Sequence, residues 1–238
     1  MSSVGFSSAL VLFAHPDDSE FVCGGTVARW VREGCEVHYV CITDGSAGSN
    51  EPGATREELR PVREREQRAA AEVLGVASVT FLDELDGMLE VDLETRRKVC
   101  REVRRVRPEV IVAPDPSRMW FGTGYINHTD HKRAGELAMT AIMPDSPTRL
   151  MFPELLEEGL EPYEVPNLYL SVNEPETFVD ITETMDLKIK ALMQHASQLD
   201  GDVERWVRER ARTWGERAGC EYAEGFKSFS LIDDEVEE

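Results

Sequence analysis

The stretch "ALVLFAHPDDSEFVCGGTVARWVREG", residues 9–34, decides the fold. Residues 9–14 are apolar without interruption, the pattern of a strand covered on both faces. Pro16 cannot continue a strand ladder, so the chain turns there. Residues 26–34 then read as a helix closed by Gly34. Strand, turn and helix in immediate succession is the opening unit of a parallel sheet. The same alternation continues outward. Strands are predicted at 36–45, 78–82 and 109–116, and helices at 61–74 (with Pro61 in the first turn), 92–107 and 131–143. This predicts an α/β fold: a Rossmann-like, doubly wound, mostly parallel sheet with helices on both faces, over at least residues 1–145. The remainder is less periodic. "NLYLSV" and "TFVDI" read as strands and 183–198 and 202–218 as helices, with no internal repeat or clear linker. We expect one domain over 1–238, with 146–238 completing the core through further strands and helices and an acidic tail.

Composition narrows the function. The 238 residues are 41% hydrophobic, enough for a core, and no apolar run approaches the roughly 20 residues of a membrane span. The first residues lack a basic segment before the apolar run and read as a core strand, not a leader. Net charge is −20, from 46 acidic and 26 basic residues, and residues 151–187 hold ten carboxylates and no Lys or Arg. Such a surface repels phosphate backbones and anionic membranes, so neither nucleic acid nor a membrane is an expected partner. The tail "DDEVEE" reads as a solvated end. Five cysteines in no C-x-x-C arrangement suit reduced thiols in a cytoplasmic protein.

Two constellations carry chemistry. In "AHPDDSE", His15 and Asp18 stand three apart where strand becomes helix, so both side chains can aim at one point. Imidazole and carboxylate suit a borderline divalent metal such as zinc. Adjacent Asp17 and Asp18 repel unless a cation or donors compensate. The plainer alternative is a helix N-cap at Asp17 or Asp18. Gly24 and Gly25, costly inside a helix, suggest close packing of that helix on the sheet. In "YINHTDHKRAGE", residues 125–136, His128 and His131 flank Asp130 just before a helix. Catalytic zinc usually takes three protein ligands and an open position. His15, Asp18 and one of these histidines would supply the three, leaving the other as an acid or oxyanion stabiliser oriented by a carboxylate such as Asp130. A capped helix with two surface histidines is the alternative.

H-P-D-D, then Glu and Gly-Gly, with H-T-D-H about 110 residues later, resembles the LmbE/PIG-L family of zinc-dependent N-deacetylases, N-acetylglucosaminyl deacetylases among them. The resemblance runs to about residue 136 and more weakly to "HASQ", 195–198. It implies an LmbE-like fold and one Zn²⁺ per chain, although another divalent metal would also suit these ligands. The implied metal ligands are His15, Asp18 and His131. Asp17 becomes the general base, and His128, paired with Asp130, the stabiliser of the oxyanion. Many members read H-P-D-D-E, whereas Ser19 stands here and Glu20 follows, which leaves Glu20 without an assigned role. Arg63 and Glu66 match a family R-x-x-E more loosely. Arg63 would either pair with Glu66 or face an anionic or carbonyl ligand. Asp86 matches a turn whose aspartate meets substrate hydroxyls, though Asp86–Gly87 is also an ordinary turn former. His38 and His195 read as structural. The tryptophans read as packing residues, with Trp120 and Tyr125 able to wall a sugar pocket.

These residues and the resemblance together predict a hydrolase that removes an N-acetyl group from an amino sugar or its conjugate by a metal-activated water. The partner is then a small N-acetylated sugar derivative, and the sequence leaves a homo-oligomer open. The alternatives are an amidase acting on a larger acyl or thiol-conjugate amide, and a non-catalytic sugar- or nucleotide-binding module.

Overall fold

The structure is a computed structural model that describes residues 5–121, 124–199 and 202–232. The acidic tail 233–238 lies outside the described residues. The first half runs β1 (Ser8–Phe13), α1 (Asp18–Arg32), β2 (Glu36–Thr43), α2 (Arg56–Leu74), β3 (Ser78–Glu84), α3 (Leu93–Val106), β4 (Val110–Pro114), a hairpin of β5 (Trp120–Phe121) and β6 (Tyr125–Ile126), and α4 (Thr129–Thr140). The second half adds α5 (Glu154–Glu157), β7 (Asn167–Ser171), β8 (Thr177–Asp180), α6 (Met185–Leu192), α7 (Val203–Ala218) and β9 (Ala223–Ser230).

Seven strands form one sheet in the order β3-β2-β1-β4-β7-β9-β8. The pairs from β3 through β7 are parallel, while β9 lies antiparallel to both β7 and β8. The mostly parallel, helix-covered sheet is therefore present. Its unbroken apolar strands are explained by the pleat. Ala9, Val11 and Phe13 pack against Val27 and Trp30 of α1 and Ala70 and Leu74 of α2. Leu10, Leu12 and Ala14 point the other way, toward Val99 and Val103 of α3 and Ala134 and Leu137 of α4. A third cluster joins α6 and α7 through Ile181, Met185, Leu192 and Val207.

Several boundaries differ from expectation. Helix α2 begins at Arg56, where the Thr55 hydroxyl accepts the Glu58 amide, so Pro61 lies in its second turn and Arg63 is not in the first. Helix α1 starts at Asp18 and breaks its regular geometry at Cys23. The glycines after that break admit other elements, not the sheet: a Cβ on Gly25 would lie 2.7 Å from Ile181 Cδ1. Helix α6 ends at Leu192, because the chain beyond turns His195 inward. Strand β9 escaped the sequence reading because its large apolar residues, Phe226 and Phe229, follow no two-residue period.

Candidate metal centre and cleft

Strand order places β2 on one side of β1 and β4 on the other, and the crossovers leave in opposite directions at that point. Open α/β sheets form their sites at such a switch, beyond the carboxyl ends of the strands. His15 to Asp18 follow β1, and Asn127 to His131 follow β4 and open α4. Close packing of α4 sets the second group in place, since a Cβ on Gly135 would lie 2.3 Å from the Pro114 carbonyl oxygen.

Three side chains converge there. His131 Nε2 lies 3.1 Å from Asp18 Oδ1, His15 Nδ1 lies 3.4 Å from Asp18 Oδ2, and the two ring nitrogens lie 3.2 Å apart. A tetrahedral ion with bonds of about 2.0–2.1 Å holds its ligand atoms about 3.3–3.4 Å apart, so the spacing fits a small divalent metal. The outer nitrogens support the same reading. His131 Nδ1 is 2.9 Å from Asn127 Oδ1, and His15 Nε2 is 3.2 Å from Asp86 Oδ1 and 3.3 Å from Asp130 Oδ2. Those oxygens accept the ring N–H groups, which leaves both lone pairs facing Asp18. His15, Asp18 and His131 thus form a group able to hold a metal ion.

Electrostatics points the same way. Burial works against a charged His15, yet hydrogen bonds with Asp130, Asp18 and Asp86 outweigh it and raise its pKa well above the ordinary value. Burial would lift Asp18, but His131 and His15 hold it well below the usual carboxylate range. Three carboxylates gathered around one imidazole call for a cation.

Asp17 stands beside these groups in a left-handed conformation, φ 94°. For a non-glycine residue this is strained, and such strain concentrates at functional positions. Its amide donates to Gln67 Oε1 at 2.9 Å, and its carboxylate accepts from Arg63 Nη2 at 2.8 Å. Burial raises its pKa to about 6, with Asp18 pushing the same way and Arg63 pulling against them. Arg63 also donates to the carbonyls of Pro16 and Gly45. It is buried beside Asp17 and not paired with Glu66, which instead accepts from Ser197 of the H-A-S-Q stretch.

His128 Nδ1 accepts the Asp130 amide at 3.2 Å, capping α4 and leaving Nε2 as the protonated nitrogen. Burial and the nearby His15 lower its pKa, favouring neutral imidazole. The Asp130 carboxylate is 4.0 Å from His128 Nδ1 and closer to His15; it also accepts the Gly87 and Leu89 amides. The expected His128–Asp130 pairing is thus looser than the contact of Asp130 with His15. Asp86 likewise turns toward His15 and accepts the Ala47 amide.

Glu20 now has a place. Fully buried, it accepts from both Gln67 Nε2 and His195 Nε2, so a chain of contacts runs from His195 through Glu20 and Gln67 to the Asp17 amide. Gln67 was missed in the sequence, although it lies one helical turn after Arg63; Asn127 was missed one turn before His131.

His15, Asp17, Asp18, Asp86, His128 and His131 line a cavity of about 1040 Å³, which continues past Arg118, Tyr125 and Ser171 to Trp206, Arg210 and Trp214 of α7. Tyr125 lines it as expected, Trp120 does not, and Trp206 and Trp214 are cavity walls as well as packing residues. All five cysteines are free thiols. Among the described residues no helix is long and apolar enough to cross a membrane.

Fold and site together define an α/β protein with a His-Asp-His group able to hold a metal ion at the switch point of its sheet. The model of the PIG-L family, GlcNAc-PI de-N-acetylase, matches residues 10–142, and the chain belongs to that family. Diacetylchitobiose deacetylase of Thermococcus kodakarensis is 32% identical over 92% of this chain and 81% of its own. The structure of N,N'-diacetylchitobiose deacetylase from Pyrococcus horikoshii, in complex with an inhibitor, superposes with a TM-score of 0.86 at 32% identity, covering 97% of this chain and 88% of that one. 4-Oxalmesaconate hydratase of Pseudomonas putida is 31% identical over 80% of this chain and 74% of its own.

Proposed function

We propose that the protein is a zinc-dependent deacetylase that hydrolyses the N-acetyl group of an amino-sugar conjugate. One observation carries this reading: a His-Asp-His group able to hold a metal, with the strained, half-buried Asp17 beside it, facing a cavity large enough for a conjugate. At about 1040 Å³ the cavity reaches the upper end of the usual range of about 300–1,000 Å³. Family membership and the deacetylases among the relatives support the reaction. Both halves of the chain line this one cleft, which supports their acting as a single catalytic domain.

His15, Asp18 and His131 would hold one ion, and two imidazoles with one carboxylate favour zinc. When bound, the ion supplies Lewis-acid activation of a water and of the amide carbonyl. Asp17 takes the proton of the attacking water and returns it to the departing amine. A pKa lifted to about 6 suits both transfers near neutrality. Arg63 holds the Asp17 carboxylate in place. His128 donates its Nε2–H to the amide oxygen as charge develops there, which neutral imidazole can do. Asp86 and Asp130 fix the ring of His15.

The test is release of acetate and free amine from N,N'-diacetylchitobiose and other N-acetylated glucosamine derivatives, with metal stripped and restored. Acetate release that depends on added zinc is the expected result. No acetate from any amide, together with water addition to an unsaturated carboxylic acid, would instead place the chain with the hydratase.

A further inference from the structure

We propose that Gln67, Glu20 and His195 are positioning residues for Asp17: together they hold the strained peptide that keeps its carboxylate beside the proposed metal site. The proposal rests on the deacetylase reading and deepens it.

Asp17 has φ 94° and ψ −29°, a conformation that a non-glycine residue keeps only where its surroundings impose it. The constraint lies at the peptide group that joins Pro16 to Asp17. Its carbonyl accepts from Arg63 Nη2, and its N–H donates to Gln67 Oε1 at 2.9 Å. Arg63 and Gln67 stand one turn apart on α2, so one helix grips both ends of the peptide. On the other side of the Asp17 Cα, the carbonyl is committed to α1, where it accepts the Glu20 and Phe21 amides at 3.0 and 3.1 Å. With that side fixed, φ is set by where the Asp17 N–H points, and Gln67 sets that direction.

A glutamine can present either end of its amide, and only the oxygen suits an N–H. Glu20 makes the choice. Gln67 Nε2 donates to both Glu20 oxygens at 3.1 Å, which leaves Oε1 for Asp17. A flipped amide would set two donors against each other at Asp17 and an oxygen against a carboxylate at Glu20. His195 fixes Glu20 in turn, with Nε2 donating to Glu20 Oε2 at 3.1 Å. The histidine's own backbone is held as well: its amide donates to the Leu192 carbonyl, and its carbonyl accepts from Gln198 and Leu199. The order of donors and acceptors is thus fixed from the end of α6, through α1 and α2, to the turn after β1.

Packing alone does not account for the trio. Glu20, Gln67 and His195 are all buried, and His195 Nδ1 has no hydrogen-bond partner among the described residues. Burying a carboxylate, an amide and an imidazole is costly, and apolar side chains of the same volume often serve stability as well or better. Such side chains would leave the Asp17 N–H without its acceptor. None of the three is among the residues that line the cavity, so their effect on the reaction passes through Asp17.

The test is Gln67→Met, similar in length but without the acceptor. It should lose at least about tenfold in kcat for acetate release from N,N'-diacetylchitobiose, because a shift of about 1 Å at a reacting group can cost about 10²-fold. KM should stay within about threefold of wild type, with zinc content unchanged. In the Asp17→Asn protein, which lacks the base, the same substitution should change kcat less than about twofold. His195→Leu should act like Gln67→Met, and His195→Gln, which still offers a donor near the place of Nε2, should restore most of the loss. Hydrogen exchange reads the geometry without catalysis. The Asp17 amide should exchange at least about fivefold faster in Gln67→Met, while the Val11 and Leu12 amides of β1 keep their rates. That measurement decides whether the trio holds Asp17 even if no amide is hydrolysed. Wild-type kcat in Gln67→Met, an equal loss of kcat in the Asp17→Asn background, or an unchanged Asp17 exchange rate would overturn the proposal.

Discussion

At one end of the cleft, the groups around the proposed metal site are locked by others. Asn127 fixes His131, Asp86 and Asp130 fix His15, and Arg63 and Gln67 fix Asp17. At the other end, Trp206 and Arg210 stand one turn apart on α7 and are held by ring contacts, Arg210 over the Trp206 ring at 5.7 Å and Phe21 edge-on to it at 6.1 Å. The first end has the preorganisation that chemistry requires, because groups that stabilise charge act only when already in position. The second end has the looser construction of a surface that selects what the chemistry is performed on. The groups of the first end all come from the first half of the chain, whereas the far wall of the cleft is built largely by α7.

The contrast can be broken most sharply at the metal end. Chelation, or His131→Ala, should abolish acetate release, and added zinc should restore it only to the chelated wild-type protein; activity that survives a metal-free assay would remove the basis of the mechanism. Asp17→Asn should retain metal and fold but lose about 10²–10⁴ in kcat, measured by acetate release beside metal content. Gly25→Ala tests the join between the halves. Its Cβ would press on Ile181, so the variant should lose about 1–3 kcal/mol in denaturant unfolding, with the metal-site residues untouched. Trp206→Ala should raise KM several-fold while kcat changes little, which steady-state kinetics would separate. The smallest effect is one of pH. Arg63 pulls Asp17 toward its ionised form, so Arg63→Gln should shift the acid limb of kcat/KM to higher pH; a shift downward would contradict the pairing.

The metal end was legible in the sequence, and the substrate end was not. His15, Asp17 and Asp18 follow an unmistakable buried strand, and His128, Asp130 and His131 open a helix, so short-range spacing alone brings each trio together. The meeting of the two trios followed from the parallel order of β1 and β4. Arg63 was singled out but misplaced, because Pro61 suggested a helix start that Thr55 and Arg56 in fact provide. Glu20 and His195 lie 175 residues apart, and no local pattern announces such a contact. Strand β9 and the cavity face of α7 depend on antiparallel packing late in the chain, where periodicity is weak. Trp206 reads as a packing residue in the sequence, and its place on the cavity wall shows only once the sheet edge is built beneath α7.

The central claim is that His15, Asp18 and His131 hold one catalytic divalent ion. Titrating metal-stripped protein with zinc while following acetate release from N,N'-diacetylchitobiose tests it most directly. Activity should rise to a break at one equivalent per chain and be lost in Asp18→Ala. Activity without metal, or a break that survives Asp18→Ala, would contradict it.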